Sequence, residues 1–374
     1  MRIALVTDAW HPQVNGVVRT LGMTVDGLRG LGHHVETVTP DQFAAVPCPS
    51  YPEIRLALGC GRRVGRRLTD HDPDAVHIAT EGPLGWAARR WCLKRDMPFT
   101  TSFHTRFPDY VAARTRLPAD WFWPAVRRFH GPARRVFAAT ETLAAELRQR
   151  GLPRTHIWSR GVDVTAFSPD RPLLPAMAGL RRPIQLYVGR VAIEKNIEAF
   201  LTSRVEGSKI VVGDGPAREA LQRRFPEVHF PGMLHGGDLA SAYASADVFV
   251  FPSRTDTFGL VMVEALASGL PVAAYPVRGP IDVVGAEGRG IGRRSSHRIG
   301  ALDEDLDTAI RAALTVDRKA CVEEGRRFSW HACTAQFLAG LQPRHAAMPA
   351  AAKSRISVDP GAPSKALIGA TKLG

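Results

Sequence analysis

Cysteine is scarce, five residues in a chain of 374, and no two of them stand in a C-x-x-C spacing. Cys48, Cys60, Cys92, Cys321 and Cys333 are odd in number and spread widely, which excludes a disulfide framework and a clustered zinc site. They read as reduced thiols of a cytosolic protein. Long apolar runs are missing too, since nothing approaches the roughly 18 residues that span a bilayer. The opening Met1-Arg-Ile-Ala-Leu-Val-Thr-Asp8 turns polar too early for a signal peptide, so any membrane contact is expected to be peripheral. Aromatic residues are only 7% and form no repeated stacking platform, and no nucleic-acid-binding module is recognisable. Acidic residues are outnumbered, 36 against 49 Lys and Arg, leaving a net charge of +13 that calls for an anionic partner.

What is present is ordinary for a soluble globular chain: 45% apolar and 23% charged residues, in a length that suits two or three domains. The charge is not evenly spread. Residues 1–170 carry +7, residues 171–342 only +2, and residues 343–374 carry +4. Between positions 55 and 135, 16 basic residues face 7 acidic ones.

Short apolar runs alternate with helical spacing through the first half. Strands are expected at 3–6, 35–38, 75–79, 99–103, 136–139 and 156–158, with helices at about 17–31, 84–94 and 143–150. A Pro-rich stretch over 171–183 follows as a linker. The rhythm then restarts, with strands at 184–188, 209–212, 228–230, 248–251 and 272–274 and helices at 194–201, 217–225, 239–245 and 260–268. This predicts two doubly wound α/β domains, 1–170 and 184–328, facing a central cleft. A last helix over 329–342 is expected to return to the first domain, and 343–374 to be a disordered tail.

Three strand-to-helix junctions carry the chemistry. Ser253-Arg-Thr-Asp-Thr-Phe-Gly-Leu-Val-Met-Val-Glu-Ala-Leu-Ala-Ser-Gly269 opens a helix whose free N–H groups near Phe258, Gly259 and Leu260 suit an anion. Two carboxylates, Asp256 and Glu264, bracket that turn and suit sugar or ribose hydroxyls. Tyr187-Val-Gly-Arg-Val-Ala-Ile-Glu-Lys-Asn196 places Arg190 and Lys195 where a diphosphate can sit. Val6-Thr-Asp-Ala-Trp-His-Pro-Gln-Val-Asn-Gly-Val17 puts Gly16 at a third helix start. Gly213-Asp-Gly215 also follows a strand, but Arg218 stands where the dinucleotide fingerprint needs its third glycine, so no nicotinamide site is expected. Taken alone, each of these is matched by a bland reading as an N-cap or a solvated charge.

In this order, together with Ser102-Phe-His104-Thr-Arg-Phe107, Gly161-Val-Asp163 and Phe251-Pro-Ser253, they resemble the retaining glycosyltransferases of family 4 with the GT-B fold, two Rossmann-like domains around a cleft. The resemblance implies that Arg190 and Lys195 neutralise the diphosphate of a nucleotide-sugar, with Gly16 and the backbone around Phe258, Gly259 and Leu260 completing the cradle. It implies that Glu264 holds the ribose, Asp256 the transferred sugar and the Met233-Leu234 loop the base, with His104 near the reacting centre. No cofactor and no divalent metal are implied, since Arg and Lys stand in for a metal. The commoner acid pair is Glu and Glu, and Asp256 departs from it. The Asp form, with Thr7 to Thr20 and Glu81-Gly-Pro-Leu-Gly85, is most similar to bacterial glycolipid synthases.

On that resemblance the expected activity is transfer of a hexose or hexuronic acid from UDP-glucose or UDP-glucuronate to diacylglycerol. The alternatives are a GDP-mannose-dependent α-mannosyltransferase, a saccharide or polyprenyl-linked acceptor, an epimerase of the nucleotide-sugar, and, from another class, a nucleic-acid-binding protein, which is disfavoured. The basic stretch Asp120-Trp-Phe-Trp-Pro-Ala-Val-Arg-Arg-Phe-His130 projects Phe122, Val126 and Phe129 to the core; it either offers Trp121, Trp123, Arg127 and Arg128 to an anionic membrane surface, on the inner face of the cell membrane, or packs both tryptophans in the domain beneath a solvated arginine face. Gly61-Arg-Arg-Val-Gly-Arg-Arg67 reads as a second basic patch or a mobile loop.

Overall fold

Short runs of β-branched and aromatic residues, bounded by glycine and proline, form two six-stranded parallel sheets, as the alternating pattern predicts. A computed structural model of the chain describes residues 1–13, 16–48, 51–104, 108, 117–255, 258–290 and 296–344. The first sheet comprises β1 (Arg2–Val6), β2 (His34–Val38), β5 (Ala75–Ile78), β6 (Phe99–Phe103), β7 (Arg135–Ala138) and β8 (Thr155–Ile157), in the order β2-β1-β5-β6-β7-β8. A hairpin of β3 (Ala45–Cys48) and β4 (Tyr51–Ala57) forms a separate two-stranded antiparallel sheet. The second sheet comprises β9 (Ile184–Val188), β10 (Ser208–Val212), β11 (His229–Gly232), β12 (Val248–Phe251), β13 (Val272–Ala274) and β14 (Gly300–Leu302), in the order β11-β10-β9-β12-β13-β14. Helices cover both faces, so every residue of β6, β9 and β12 is buried.

The strand order reverses between β1 and β5 in one sheet and between β9 and β12 in the other. Where the order reverses, the crossovers leave on opposite faces and open a crevice beyond the strands' carboxyl ends. The loops that leave β1, β9 and β12 are the three junctions singled out by sequence.

Packing ties the end of the chain to its start. The helix Trp330–Gly340 lays Cys333 and Phe337 on the first sheet, against Ile3, Leu5, Phe137 and Trp158 and against Leu21 and Val25 of α1 (Gly16–Gly30). Val162, Phe167, Leu174 and Met177 belong to the core of the second sheet, so the chain crosses between the halves ahead of the 171–183 stretch. The Gly61-Arg-Arg-Val-Gly-Arg-Arg67 run is not a mobile loop: it opens the helix Gly61–His71, anchored by Val64 and Leu68 one turn apart. Cys60, Cys92, Cys321 and Cys333 are buried free thiols. Among the described residues no helix is long and apolar enough to cross a membrane.

Asp8, just beyond β1, shows how the first crevice is built. Its carboxylate accepts hydrogen bonds from the backbone N–H groups of Leu84 (3.0 Å) and Gly85 (3.3 Å), at the start of the helix Pro83–Lys94, and from Thr80 Oγ1 (2.9 Å). Burial outweighs these donors and raises its pKa from 3.8 to about 6. The folded state therefore holds this proton more tightly than the unfolded chain. The contribution of Asp8 to stability is complete below pH 3.8 and is lost as pH rises through about 6, a change of about 3 kcal/mol at most. Urea unfolding of Asp8→Asn, compared with wild type at pH values on either side of that window, is expected to show a shallower loss; identical slopes in the two proteins would refute it.

Candidate active site

The second crevice is assembled from two loops that glycine lets approach. Gly213 has φ of 135°, and a Cβ there would fall 1.9 Å from the carbonyl oxygen of Gly189, so only glycine allows the loops after β9 and β10 to touch. Hydrogen bonds sew them together, Gly189 N to Val212 O (3.0 Å) and Val191 N to Asp214 O (2.9 Å). Arg190 projects from this seam with its side chain 66% exposed, 3.7 Å from Glu194. Lys195 ends the one-turn helix Ile193–Lys195 and is half-buried. Asn196 then reverses the chain with φ of 52°, and its Nδ2 donates to Pro252 O (3.1 Å) beyond β12. That bond joins the two sides of the switch point.

Beyond β12, Gly259 (φ 78°) starts the helix Leu260–Ala267; a Cβ there would lie 2.8 Å from Met262 Cε. The helix begins against the start of α1: a Cβ on Gly16 would lie 3.5 Å from Leu260 Cδ1. Two helix N-termini thus meet across the cleft, each turning a positive dipole end toward an anion. The Phe258 side chain is buried and stands edge-on to Phe328, so only its backbone is available to a ligand.

Glu264 lies one turn into that helix and is nearly closed to solvent. Arg19 Nη1 of α1 reaches its Oε1 at 3.2 Å, and Tyr243 Oη donates to its Oε2 at 3.0 Å. Burial raises the Glu264 carboxyl pKa, and Arg19 and Tyr243 oppose the rise. Arg19 and Tyr243 are not singled out by sequence pattern, although Arg19 lies one turn beyond Gly16 on the same helix. Met233 sits in the turn between β11 and the helix Gly236–Ser245, 59% exposed, while Leu234 packs on the core. Asn15, Asp256 and 105–107 lie outside the described residues, as does the tail from 345.

His104 follows β6, next to β5 at the first switch point. Its Nδ1 is 3.0 Å from Nη2 of Arg160, and its ring stands edge-on to Trp158 at 5.5 Å. Burial and Arg160 together hold its pKa well below the usual histidine range. Arg160 immediately precedes Gly161-Val-Asp163 and is the other residue that sequence pattern does not single out.

The face offered to a membrane needs correction. The helix runs Trp123–His130, one 3-10 turn later than the sequence projection, and this places Trp123 inside. Trp123 is 3% exposed, stacks on Phe103 at 5.9 Å and lies under Arg150 at 4.3 Å. It is a core residue, and Phe122 is only half-buried. Trp121 is 67% exposed, and Arg127 and Arg128 are exposed as well.

Residues 14–166 match the model of Glycosyltransferase Family 4, and 182–304 that of Glycosyl transferases group 1. The chain is 36% identical to a GDP-mannose-dependent alpha-mannosyltransferase of Mycolicibacterium smegmatis over 76% of this chain and 82% of that protein. The chain belongs to glycosyltransferase family 4. This family 4 enzyme is also 26% identical to the alpha-monoglucosyldiacylglycerol synthase of Acholeplasma laidlawii, over 73% of this chain and 79% of that protein. Its fold is GT-B. The sucrose-phosphate synthase of Thermosynechococcus elongatus superimposes with a TM-score of 0.65 at 22% identity, covering 90% of this chain and 97% of that one.

Proposed function

We propose that this glycosyltransferase moves mannose from GDP-mannose to a lipid acceptor at an anionic membrane surface, with retention at the anomeric carbon. The donor rests on the 36% identity to a GDP-mannose-dependent alpha-mannosyltransferase, which displaces UDP-glucose and UDP-glucuronate from first place. In this reading Arg190 and Lys195 neutralise the diphosphate without a divalent metal, and the paired helix starts at Gly16 and Gly259-Leu260 add their positive dipole ends. Glu264 accepts from the ribose hydroxyls, the Met233-Leu234 turn meets the base, and His104 and Asp256 hold the transferred sugar. The C1–O bond to the diphosphate breaks while the acceptor oxygen bonds C1 on the same face, and the acceptor proton passes to the leaving phosphate oxygen.

A second reading, a UDP-hexose donor with diacylglycerol, is favoured by the likeness to the monoglucosyldiacylglycerol synthase. Incubation with labelled GDP-mannose, UDP-glucose or UDP-glucuronate and vesicles containing diacylglycerol or glycosyl-diacylglycerol separates them. Label is expected in the organic phase with GDP-mannose. Lipid labelled only from UDP donors would establish the second reading, and label confined to water-soluble product would remove the lipid acceptor.

The exposed Trp121 with Arg127 and Arg128 supports the membrane side of the proposal. Indole beside guanidinium suits the headgroup region, each basic residue contributing about 1 kcal/mol near an anionic surface. Arg127→Glu with Arg128→Glu is expected to reduce sedimentation with phosphatidylglycerol vesicles several-fold while leaving GDP affinity unchanged. Unchanged sedimentation would return this face to ordinary solvated charge.

A further inference from the structure

Arg160 and His104 form a buried pair with an unusual hydrogen-bond inventory. A guanidinium has only N–H donors, so the 3.0 Å approach of Arg160 Nη2 to His104 Nδ1 requires Nδ1 to present its lone pair. The single proton of the neutral ring then sits on Nε2. That nitrogen is closed to solvent and has no hydrogen-bond partner among the described residues, and the same holds for Nη1 of Arg160. Two buried donors are thus left facing no protein acceptor, although buried polar groups are nearly always paired.

The surroundings forbid a second proton. Arg160 places its positive charge against the ring, and the other titratable groups facing it, His77 of β5 and His130, bring no negative charge. Glu81, which faces His130, is taken by its Nε2 at 3.0 Å. Cys333, beside Arg160, is a buried thiol. The pair cannot easily shift: Arg160 lies over Trp158, which is boxed in by Phe137 and Phe337, and a Cβ on the following Gly161 would strike Trp330 at 2.2 Å.

We propose that Arg160 is a positioning residue that locks His104 as the neutral Nε2–H tautomer, so that His104 meets the substrate as a hydrogen-bond donor and cannot act as a base at Nε2. The inference rests on the reading that His104 faces the transferred sugar. In it, a hydroxyl oxygen of the sugar or acceptor supplies the acceptor that Nε2–H lacks. The acceptor's proton must then leave by another route, which agrees with its transfer to the leaving phosphate.

The test is a nitrogen-15 spectrum of the full chain labelled in histidine, with no ligand added, from about pH 5.5 to about 8, the range in which an ordinary imidazole titrates. His104→Asn assigns the signal. The wild-type ring is expected to keep a bare Nδ1 and a protonated Nε2 throughout. Arg160→Lys, which retains an N–H donor, is expected to keep that pattern. Arg160→Leu is expected to give mixed tautomers or a titrating ring, a new acid limb in the pH profile, and a kcat at least about tenfold lower with little change in the donor KM. A wild-type proton on Nδ1, titration within the window, or an Arg160→Leu ring that keeps the wild-type pattern would each overturn the proposal. The tautomer is read without turnover, so it is independent of the donor assignment. Wild-type transfer by His104→Ala would instead remove His104 from the sugar site and leave the tautomer standing.

Discussion

In Lys195→Ala, turnover falls by about a hundredfold or more while the fold survives, because a preorganised charge aimed at a developing anion contributes about 10²–10³ in rate. The departing diphosphate gains negative charge as the sugar leaves, and in the proposed reading two cations meet it. Arg190 stands 66% exposed, where water screens it, whereas Lys195, just before the Asn196 reversal, is half-buried and so less screened by water. The alanine variant is therefore expected to lose more than Arg190→Ala. Single-turnover rates at saturating donor, with thermal unfolding as the control for folding, check this. A Lys195→Ala enzyme that turns over at the wild-type rate would remove Lys195 from the diphosphate.

Glu264→Gln is expected to act on binding. The buried carboxylate accepts from Tyr243 and Arg19, and in the proposed reading it also accepts from the ribose. Hydrogen bonds to a charged group contribute about 1.5–3 kcal/mol, so losing that charge lowers GDP affinity about tenfold to a hundredfold. Glu264→Ala adds a second effect: Tyr243, fully buried, loses the acceptor for its hydroxyl, at a cost of about 1–3 kcal/mol in stability. Calorimetric titration with GDP and urea unfolding distinguish the two effects. Wild-type GDP affinity in Glu264→Gln would place the ribose elsewhere.

Much of the fold is legible in the sequence. Parallel strands covered on both faces read as apolar runs, and the glycines at 189, 213 and 259 stand at strand-to-helix junctions, so the doubly wound halves and the loops beyond β9, β10 and β12 can be located. Partnerships distant in sequence cannot. Arg19 and Glu264 are 245 residues apart, and no local pattern connects them. Trp123 was misplaced because a 3-10 turn delays the helix by enough to rotate the wheel, taking Trp123 inward and leaving Trp121 outside. Helix Gly61–His71 was hidden because only Val64 and Leu68 anchor it amid arginines. Arg160 was passed over because its neighbours, Gly161 and Asp163, carry the recognisable motif.

The return of Trp330–Gly340 to the first sheet bears on how the enzyme can be recombined. The chain passes from one half to the other near 162 and comes back at 329, where Val162 pairs with Ser329 and donates its N–H to Phe328 O at 2.7 Å. The second half is thus an insertion in the first, and a single cut cannot separate them. A chimera built to change the donor must exchange the segment between these two crossings as one cassette and leave the last helix with its own first sheet. Joined only at the first crossing, it would bring a foreign helix onto Ile3, Leu5 and Trp158 and would be expected to fail by misfolding before its specificity could be measured.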